Sequence, residues 1–242
     1  MDQEIVYIIQ ELYRDFRERS KEVKRYTQFI QVMAASRATG LSYGQLGHME
    51  PVEGFELDRE LTKTIRASGY LLLYNLVEST LSNAIDSIHK AIDAHGMEFN
   101  QLDGKLKEIT LSHFHKAISA SKKESVDSAH PIQFAMVRMG YEKEKLFSGN
   151  IDCKEIRSIS KRYGFEVPDP KLNGRSIGDF VLEVKNQRNS LAHGAISFER
   201  CGRETPPEHL VNVAEQTIIY LRAVLRSVTR YIKDRQYAAE EI

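Results

Sequence analysis

Long stretches of this chain repeat their apolar residues every three or four positions, and this period constrains the fold more than any other feature. An amphipathic helix produces such a pattern, whereas a half-buried strand alternates apolar and polar residues. The pattern predicts a first helix from Ile5 to Met33, a second from about Leu57 to Gly96, and a last one from Leu210 to near the C-terminus. No alternating run bounded by turn residues is long enough to predict a sheet. We therefore expect an all-α protein with four or more principal helices.

The sequence between these long helices is less regular. Helical periodicity returns at residues 151–165 and 176–194. Residues 97–150 alternate short apolar runs with polar clusters, which we interpret as short helices and loops. Segments rich in glycine or proline, which predict loops, lie at residues 40–54 and 166–176. Neither has the length or composition of a linker, so we expect one domain spanning residues 1–242, with 97–150 as an insertion.

The start of the last helix carries capping residues. Thr205 is predicted to cap it, with Pro206 at the first helical position and Glu208 at the third. Threonine and glutamate at this spacing form a capping box, and proline is favoured at the first position because no N–H is needed there. We therefore expect the helix to begin at Pro206.

The charge balance limits the partners of the chain. Lysine plus arginine equals aspartate plus glutamate at 34 each, so tight non-specific attachment to nucleic acid or anionic lipid would need a local patch. Charged residues make up 28% and mean hydropathy is −0.42, which exclude a membrane span and a membrane partner. Cys153 and Cys201 lie far apart with no CxxC spacing, and the N-terminus shows no secretory signal. We expect a cytoplasmic protein.

Most familiar enzyme motifs are absent, including the P-loop, GxGxxG, GxSxG and HExxH. His113 and His115 come nearest to a metal-ligand set, but two residues apart on a helix they point to different sides. A metal-dependent hydrolase that uses them is one alternative, and it predicts loss of activity with a chelator. Cys153 stands beside apolar residues, which is typical of a buried thiol rather than a nucleophile. We expect no metal and no cofactor.

The end of the helix predicted at 176–194 carries an unusual polar string, Arg188-Asn189-Ser190-Leu191-Ala192-His193-Gly194. Arg188 occupies an apolar position of the stripe, so its guanidinium should face the bundle interior, a cleft or a partner chain, beside an anionic group. His193 lies about 140° further round a regular helix, so the two side chains share a face only if the helix ends there. Gly194 predicts that end. A structural ion pair and a capped helix end explain the same residues.

This Arg188-Asn189-x-x-x-His193 string, followed by glycine, resembles the signature of the HEPN superfamily. Members carry similar sequence at the end of a penultimate long helix, with a further long helix behind it. One branch also has an upstream helix similar to Tyr74-Asn75-Leu76-Val77-Glu78-Ser79. The resemblance covers approximately residues 60–92 and 151–235. It implies a HEPN-like helical bundle with long antiparallel helices and an irregular helical insertion in the middle.

The function that the resemblance implies is metal-independent endoribonuclease activity, commonly of a toxin in a toxin–antitoxin pair or a phage-defence component. Such proteins act as homodimers whose paired motifs line one cleft. Histidine suits proton transfer in RNA cleavage by the 2′-hydroxyl, and arginine suits the charge on the phosphorane. Asn189 would orient the phosphate or the histidine, while Glu78 and Asn75 would hold Arg188 or His193 in place. The expected partners are RNA, a second copy of the chain, and an antitoxin or defence-system protein.

The alternative is a catalytically silent helical module that binds a nucleotide or a protein partner, in which the motif is structural. RNA binding also needs a basic surface, and two helical stripes offer one. Each stripe either follows phosphates or is a solvated helix face. The first stripe is Arg222, Arg226 and Arg230, and the second is Arg157, Lys161 and Arg162.

Overall fold

The computed structural model describes residues 2–45, 47–120, 143, 147, 150–172 and 174–239. Within these residues the chain forms seven α-helices. They are α1 (Gln3–Ala35), α2 (Arg59–Ala94), α3 (Gly104–Ala120), α4 (Cys153–Tyr163), α5 (Gly178–Ala192), α6 (Phe198–Glu204) and α7 (Pro207–Lys233). The predicted all-α class is confirmed, and no helix among the described residues combines the length and apolarity that a membrane crossing requires.

The long helices begin and end where their sequences provide caps. The Asp58 carboxylate accepts the N–H of Leu61 at 2.7 Å and so satisfies one of the free donors at the start of α2. Gly96, which was predicted to stop this helix, adopts a left-handed backbone with φ +58° two residues after its end. The prediction of a long second helix ending at this glycine is therefore confirmed.

The core lies where α1, α2 and α7 meet. α1 packs against both α2 and α7, and α2 also contacts α5 and α6. α1 and α2 are antiparallel, since Tyr26 on α1 donates its hydroxyl to Ile65 O at 2.6 Å while Asp15 accepts from Asn83. The apolar stripes predicted from the sequence form the buried faces of these helices. The outcome is a bundle in which α5 is held beside α2.

The short helix α6 was not predicted, and its contact with α2 depends on Gly202. A Cβ atom at this position would lie 1.9 Å from the carbonyl oxygen of Lys63, so any side chain would collide with the α2 backbone. Only glycine allows the two helices to approach this closely. α6 also changes the start of α7, because the Thr205 hydroxyl donates to Cys201 O at 2.9 Å. The predicted Thr205 cap is therefore wrong: Pro206 is the N-cap residue and Pro207 begins the helix.

The two predicted loops contain small β-hairpins, contrary to the expectation of no sheet. In the first, β1 (Ser42–Gln45) pairs antiparallel with β2 (His48–Pro51), and both strands are exposed. In the second, β3 (Lys171–Leu172) pairs with β4 (Arg175–Ser176). Strands this short, without a buried face, leave no alternating apolar pattern in the sequence.

The segment expected to be an irregular insertion is described only in part. A 3-10 turn at Phe99–Gln101 leads into α3, which has 17 residues and is longer than the short helices expected there. Residues 121–142, 144–146 and 148–149 lie outside the described residues. The single-domain interpretation of residues 1–242, with 97–150 as an insertion, stays a prediction.

Candidate functional site

Arg188 and Asn189 lie in the last two turns of α5 and His193 directly follows it, and the helix ends as predicted. Gly194 has φ +69°, its N–H donates to Leu191 O at 3.3 Å, and the N–H of Ala195 donates to Ser190 O at 2.8 Å. These two bonds form a Schellman motif, which satisfies the final carbonyls of a helix. His193 is the C-cap residue, and its side chain is exposed.

Arg188 lies one turn before this end and is half-buried. The central carbon of its guanidinium is 4.5 Å from the ring centroid of Tyr74 on α2, which is a cation–π contact. One guanidinium nitrogen also donates to Asn189 Oδ1 at 3.0 Å. Arg188 thus faces inward onto a buried aromatic ring, because Tyr74 is only 3% exposed.

Asn189 extends these contacts to the chain segment before α4. Its amide nitrogen donates to Asn150 Oδ1 at 2.6 Å. The next residue, Ile151, is buried and donates its backbone N–H to the Tyr74 hydroxyl at 3.2 Å. The contacts therefore close on themselves: Arg188 touches Asn189, Asn189 touches Asn150, Ile151 touches Tyr74, and the Tyr74 ring supports Arg188. We call these five residues the Arg188 cluster.

The surroundings keep the Tyr74 hydroxyl neutral. Burial raises the pKa of Tyr74 above its ordinary value, and the negative charge of Glu78 raises it further. The N–H of Ile151 and the positive charge of Arg188 lower the pKa of Tyr74 by smaller amounts than burial raises it. The residue thus serves as a hydrogen-bond acceptor and an aromatic support rather than as an acid.

The two supporting residues predicted on α2 occupy different surroundings. Asn75 is exposed, and its Oδ1 accepts from Arg19 of α1 at 2.9 Å, so it joins α1 to α2. Glu78 is half-buried one turn after Tyr74 and acts on the tyrosine hydroxyl electrostatically. The structure thus brings Glu78 close to the Arg188 cluster, whereas the amide oxygen of Asn75 accepts a hydrogen bond from Arg19 of α1.

The sequence predicted no role in the site for Tyr74 or Asn150. Tyr74 occupies an apolar position of the α2 stripe, where an aromatic residue predicts core packing, and only a cation placed on its face reveals a second role. Asn150 is 39 residues before Asn189, and no local pattern predicts that their side chains meet.

The other candidate groups lie elsewhere. His113 is half-buried with its ring 6.3 Å from that of His89, while His115 is exposed, so the pair does face different surroundings. Burial raises the pKa of the Cys153 thiol, as expected for a structural cysteine. Among the residues with described positions, no group of three or more histidine, cysteine or acidic side chains is arranged to hold a metal ion.

The two basic stripes differ in their neighbours. Arg222, Arg226 and Arg230 are all exposed on α7. In the other stripe Arg157 pairs with Asp169 at 3.2 Å, which neutralises part of its charge. Since the described residues show no ion pair for the α7 stripe, this stripe presents more uncompensated positive charge.

Chemically, the end of α5 offers two complementary groups. The exposed imidazole of His193 can accept a proton from a bound molecule or donate one to it. The planar fork of the Arg188 guanidinium, which lies against the Tyr74 ring, suits the oxygens of a carboxylate or phosphate. The end of α5 thus carries one group suited to proton transfer and one suited to binding an anion.

A family model described as HEPN_MAE_28990:/-like HEPN matches residues 8–237, a range that includes most of α1, all of α2 to α7 and the whole α5 site. No curated protein and no solved structure matches the chain.

Proposed function

Since this chain belongs to the HEPN superfamily, through its HEPN_MAE_28990-like family, we propose that it is a metal-independent endoribonuclease. The observation that carries the proposal is that an exposed His193 and an Arg188 held on the Tyr74 ring both lie at the end of α5. Both side chains suit RNA cleavage by the 2′-hydroxyl, which needs proton transfer and neutralisation of charge but no metal.

The reaction assigns one task to each group. One histidine takes the proton of the ribose 2′-hydroxyl while the 2′-oxygen forms a bond to phosphorus. Arg188 neutralises the charge on the phosphorane oxygens. The bond from phosphorus to the 5′-oxygen then breaks, and a second histidine donates the proton that this oxygen needs. The products are a 2′,3′-cyclic phosphate and a 5′-hydroxyl. Asn189 positions the guanidinium through its side-chain oxygen.

The need for two histidines leads to a dimer. One histidine cannot be deprotonated as the base and protonated as the acid at the same moment. A two-fold dimer supplies the partner subunit's His193 across the symmetry axis, so a single motif per chain is sufficient. We propose that the active species is such a homodimer and that it acts on single-stranded or looped RNA, because a duplex resists the in-line geometry of the 2′-hydroxyl.

We place this activity in a toxin–antitoxin or phage-defence setting, where a nuclease of this kind is held in check by a partner protein. An antitoxin or a defence-system protein is then the expected partner. This setting predicts that expression of the chain alone slows host growth and that loss of His193 abolishes the effect.

The decisive experiment is cleavage of a defined RNA in the presence of a chelator, with the new ends identified by mass spectrometry. We expect cyclic phosphate ends from the wild type and at least about a 100-fold lower rate from His193→Ala. Arg188→Lys keeps the charge but loses the planar fork, so we expect a loss of similar size without unfolding. His115→Ala is the matched control at another exposed histidine. Cleavage by His193→Ala at the wild-type rate, or dependence on metal, would contradict the proposal.

The second candidate is a catalytically silent HEPN module that binds a nucleotide or a protein partner. It is favoured by the Arg188 cluster itself, since an arginine that packs on an aromatic face and donates to an amide oxygen also stabilises a fold. This candidate predicts that the wild type leaves RNA intact and does not slow growth, while Arg188→Ala lowers stability.

A further inference from the structure

A groove between α1 and α7 concentrates positive charge that the α5 site does not use. We call it the α1–α7 groove, and its volume is about 540 Å³. Five of its nine lining residues are cationic and none is acidic. The cations are Arg17, Lys21, Lys24 and Arg25 from α1 and Arg222 from α7. In a chain with formal net charge zero, this is a local excess of one sign.

The excess arises because α1 separates its charges by flank. With 3.6 residues per turn, Arg17, Lys21 and Lys24 fall on the flank of α1 that turns towards α7. Tyr13 marks that flank, since its hydroxyl accepts from Thr229 of α7 at 3.5 Å. The opposite flank carries the acidic residues of this helix, and Asp15 there meets α2. The positive flank of α1 and Arg222 of α7 therefore face the same groove.

These cations are not neutralised by neighbouring acids. All five are exposed, and within the part of the chain that the structure describes none lies within 4.0 Å of a carboxylate. A second basic surface, between α3 and α4, places Glu108 beside Lys161 and Arg162. Like charges held together without counter-charges raise the affinity for a polyanion, because each phosphate contact releases bound counterions.

The shape of the groove suits an extended chain of phosphates. Arg17 and Arg25 are eight residues apart, which is about 12 Å along a helix and spans more than one phosphate. The partly exposed Tyr13 lines the groove, so a base can stack on its ring where the backbone is bound. Ser20 also lies on the floor, and its hydroxyl has no partner among the described residues.

The groove is separate from the end of α5. α1 and α5 both pack against α2 and α7, so the two sites lie on different flanks of the α2–α7 pair. A strand long enough to reach both sites can occupy them together, so we expect the groove to affect long substrates more than short ones.

We propose that the α1–α7 groove binds the phosphate backbone of single-stranded RNA, as a second RNA site remote from Arg188 and His193. The choice of RNA as the polyanion rests on the proposed function. The binding itself does not require cleavage, so the two can fail separately.

The test measures binding of a fully 2′-O-methylated RNA strand, which lacks the nucleophile and cannot be cleaved. The variant is Lys21→Gln/Lys24→Gln/Arg25→Gln, and the matched control is Arg59→Gln/Lys154→Gln/Lys171→Gln, at three exposed cations outside both basic stripes, which changes the net charge equally. We expect the groove variant to bind about tenfold more weakly. We also expect the slope of log affinity against log salt to become shallower by about 2, since each lost phosphate contact removes about 0.7. The control should change affinity less than twofold.

Other outcomes overturn the inference. Equal weakening by both triple variants would show that net charge, not the groove, governs binding. Polyglutamate that binds the wild type as tightly as RNA would assign the groove to an acidic protein. If the groove variant binds normally while the wild type cleaves RNA, only this inference fails. If binding depends on the groove but the wild type does not cleave unmodified RNA, only the proposed function fails.

Discussion

At the scale of single residues, Tyr74 is the position on which the candidate site depends. Its ring supports the Arg188 guanidinium, and its hydroxyl accepts the N–H of Ile151. One buried side chain thus orients the phosphate-binding group and fixes the segment that carries Asn150. A residue that looks like ordinary core from the sequence therefore sets the geometry of the motif.

Substitution of Tyr74 separates these two roles. Tyr74→Phe keeps the ring but leaves the buried Ile151 N–H without its acceptor, so we expect a loss of about 1–3 kcal/mol in the free energy of unfolding. Cleavage at saturating RNA should stay near the wild-type rate. Tyr74→Leu also removes the cation–π contact, and we expect a rate at least several-fold lower than that of Tyr74→Phe. Urea unfolding and single-turnover cleavage measure the two effects. Equal rates for the two variants would show that the ring does not position Arg188.

The site is only partly readable from sequence at this scale. Arg188 and His193 stand out because one interrupts an apolar stripe and the other precedes a glycine that ends a helix. These are local signals, carried within a few residues. The contact between Asn150 and Asn189 joins segments 39 residues apart, and it follows from how α4 and α5 pack rather than from any local pattern.

At the scale of elements, periodicity predicted the long helices because each buries one continuous apolar stripe. It did not predict α6, which has seven residues and completes too few turns to show a period. It also misplaced the start of α7, because the hydroxyl of Thr205 closes α6 and its carbonyl accepts from Arg66 at 3.0 Å. Local capping rules cannot tell which of two adjacent helices a threonine serves.

The left-handed glycine after α5, Gly194, should stabilise the protein and hold His193 in position. Gly194 has φ +69°, and a Cβ at this position meets no atom within 4 Å, so the cost of Gly194→Ala is backbone strain alone. We expect the free energy of unfolding to fall by about 1 kcal/mol. We also expect cleavage to weaken, because the strain loosens the turn that presents His193. Gly194→Asn should recover most of both losses, since asparagine tolerates this conformation.

The control for this prediction is Gly104→Ala, at the first residue of α3, where the added Cβ is equally free of contacts and φ is not left-handed. There the same chemical change should leave stability unchanged or raise it by up to about 1 kcal/mol. Thermal unfolding of the three variants checks the order. A Gly194→Ala protein as stable as Gly104→Ala would mean that α5 does not need its left-handed terminus.

At the scale of the whole molecule, the bundle separates two kinds of surface. α2 and α7 form its middle, and α5 and α1 pack on them to present the candidate catalytic groups and the α1–α7 groove. The equal numbers of acids and bases conceal this arrangement, because the charges are sorted by helix flank rather than along the sequence. Composition alone therefore gives no sign of nucleic-acid binding, which would need a local patch, and the packing of α1 on α7 creates such a patch.

The proposed dimer makes a quantitative prediction for mixed assemblies. If both histidines of a shared cleft are required, a heterodimer of wild type and His193→Ala is inactive, because one imidazole cannot serve as base and acid together. After subunit exchange at equal concentrations, only about a quarter of the dimers carry two histidines, so activity should fall to about a quarter of that of an all-wild-type sample at the same total concentration. Independent sites would retain about half. Mixing with His115→Ala, which leaves the motif intact, controls for exchange itself, and retention of half the activity after exchange is verified would rule out the shared cleft.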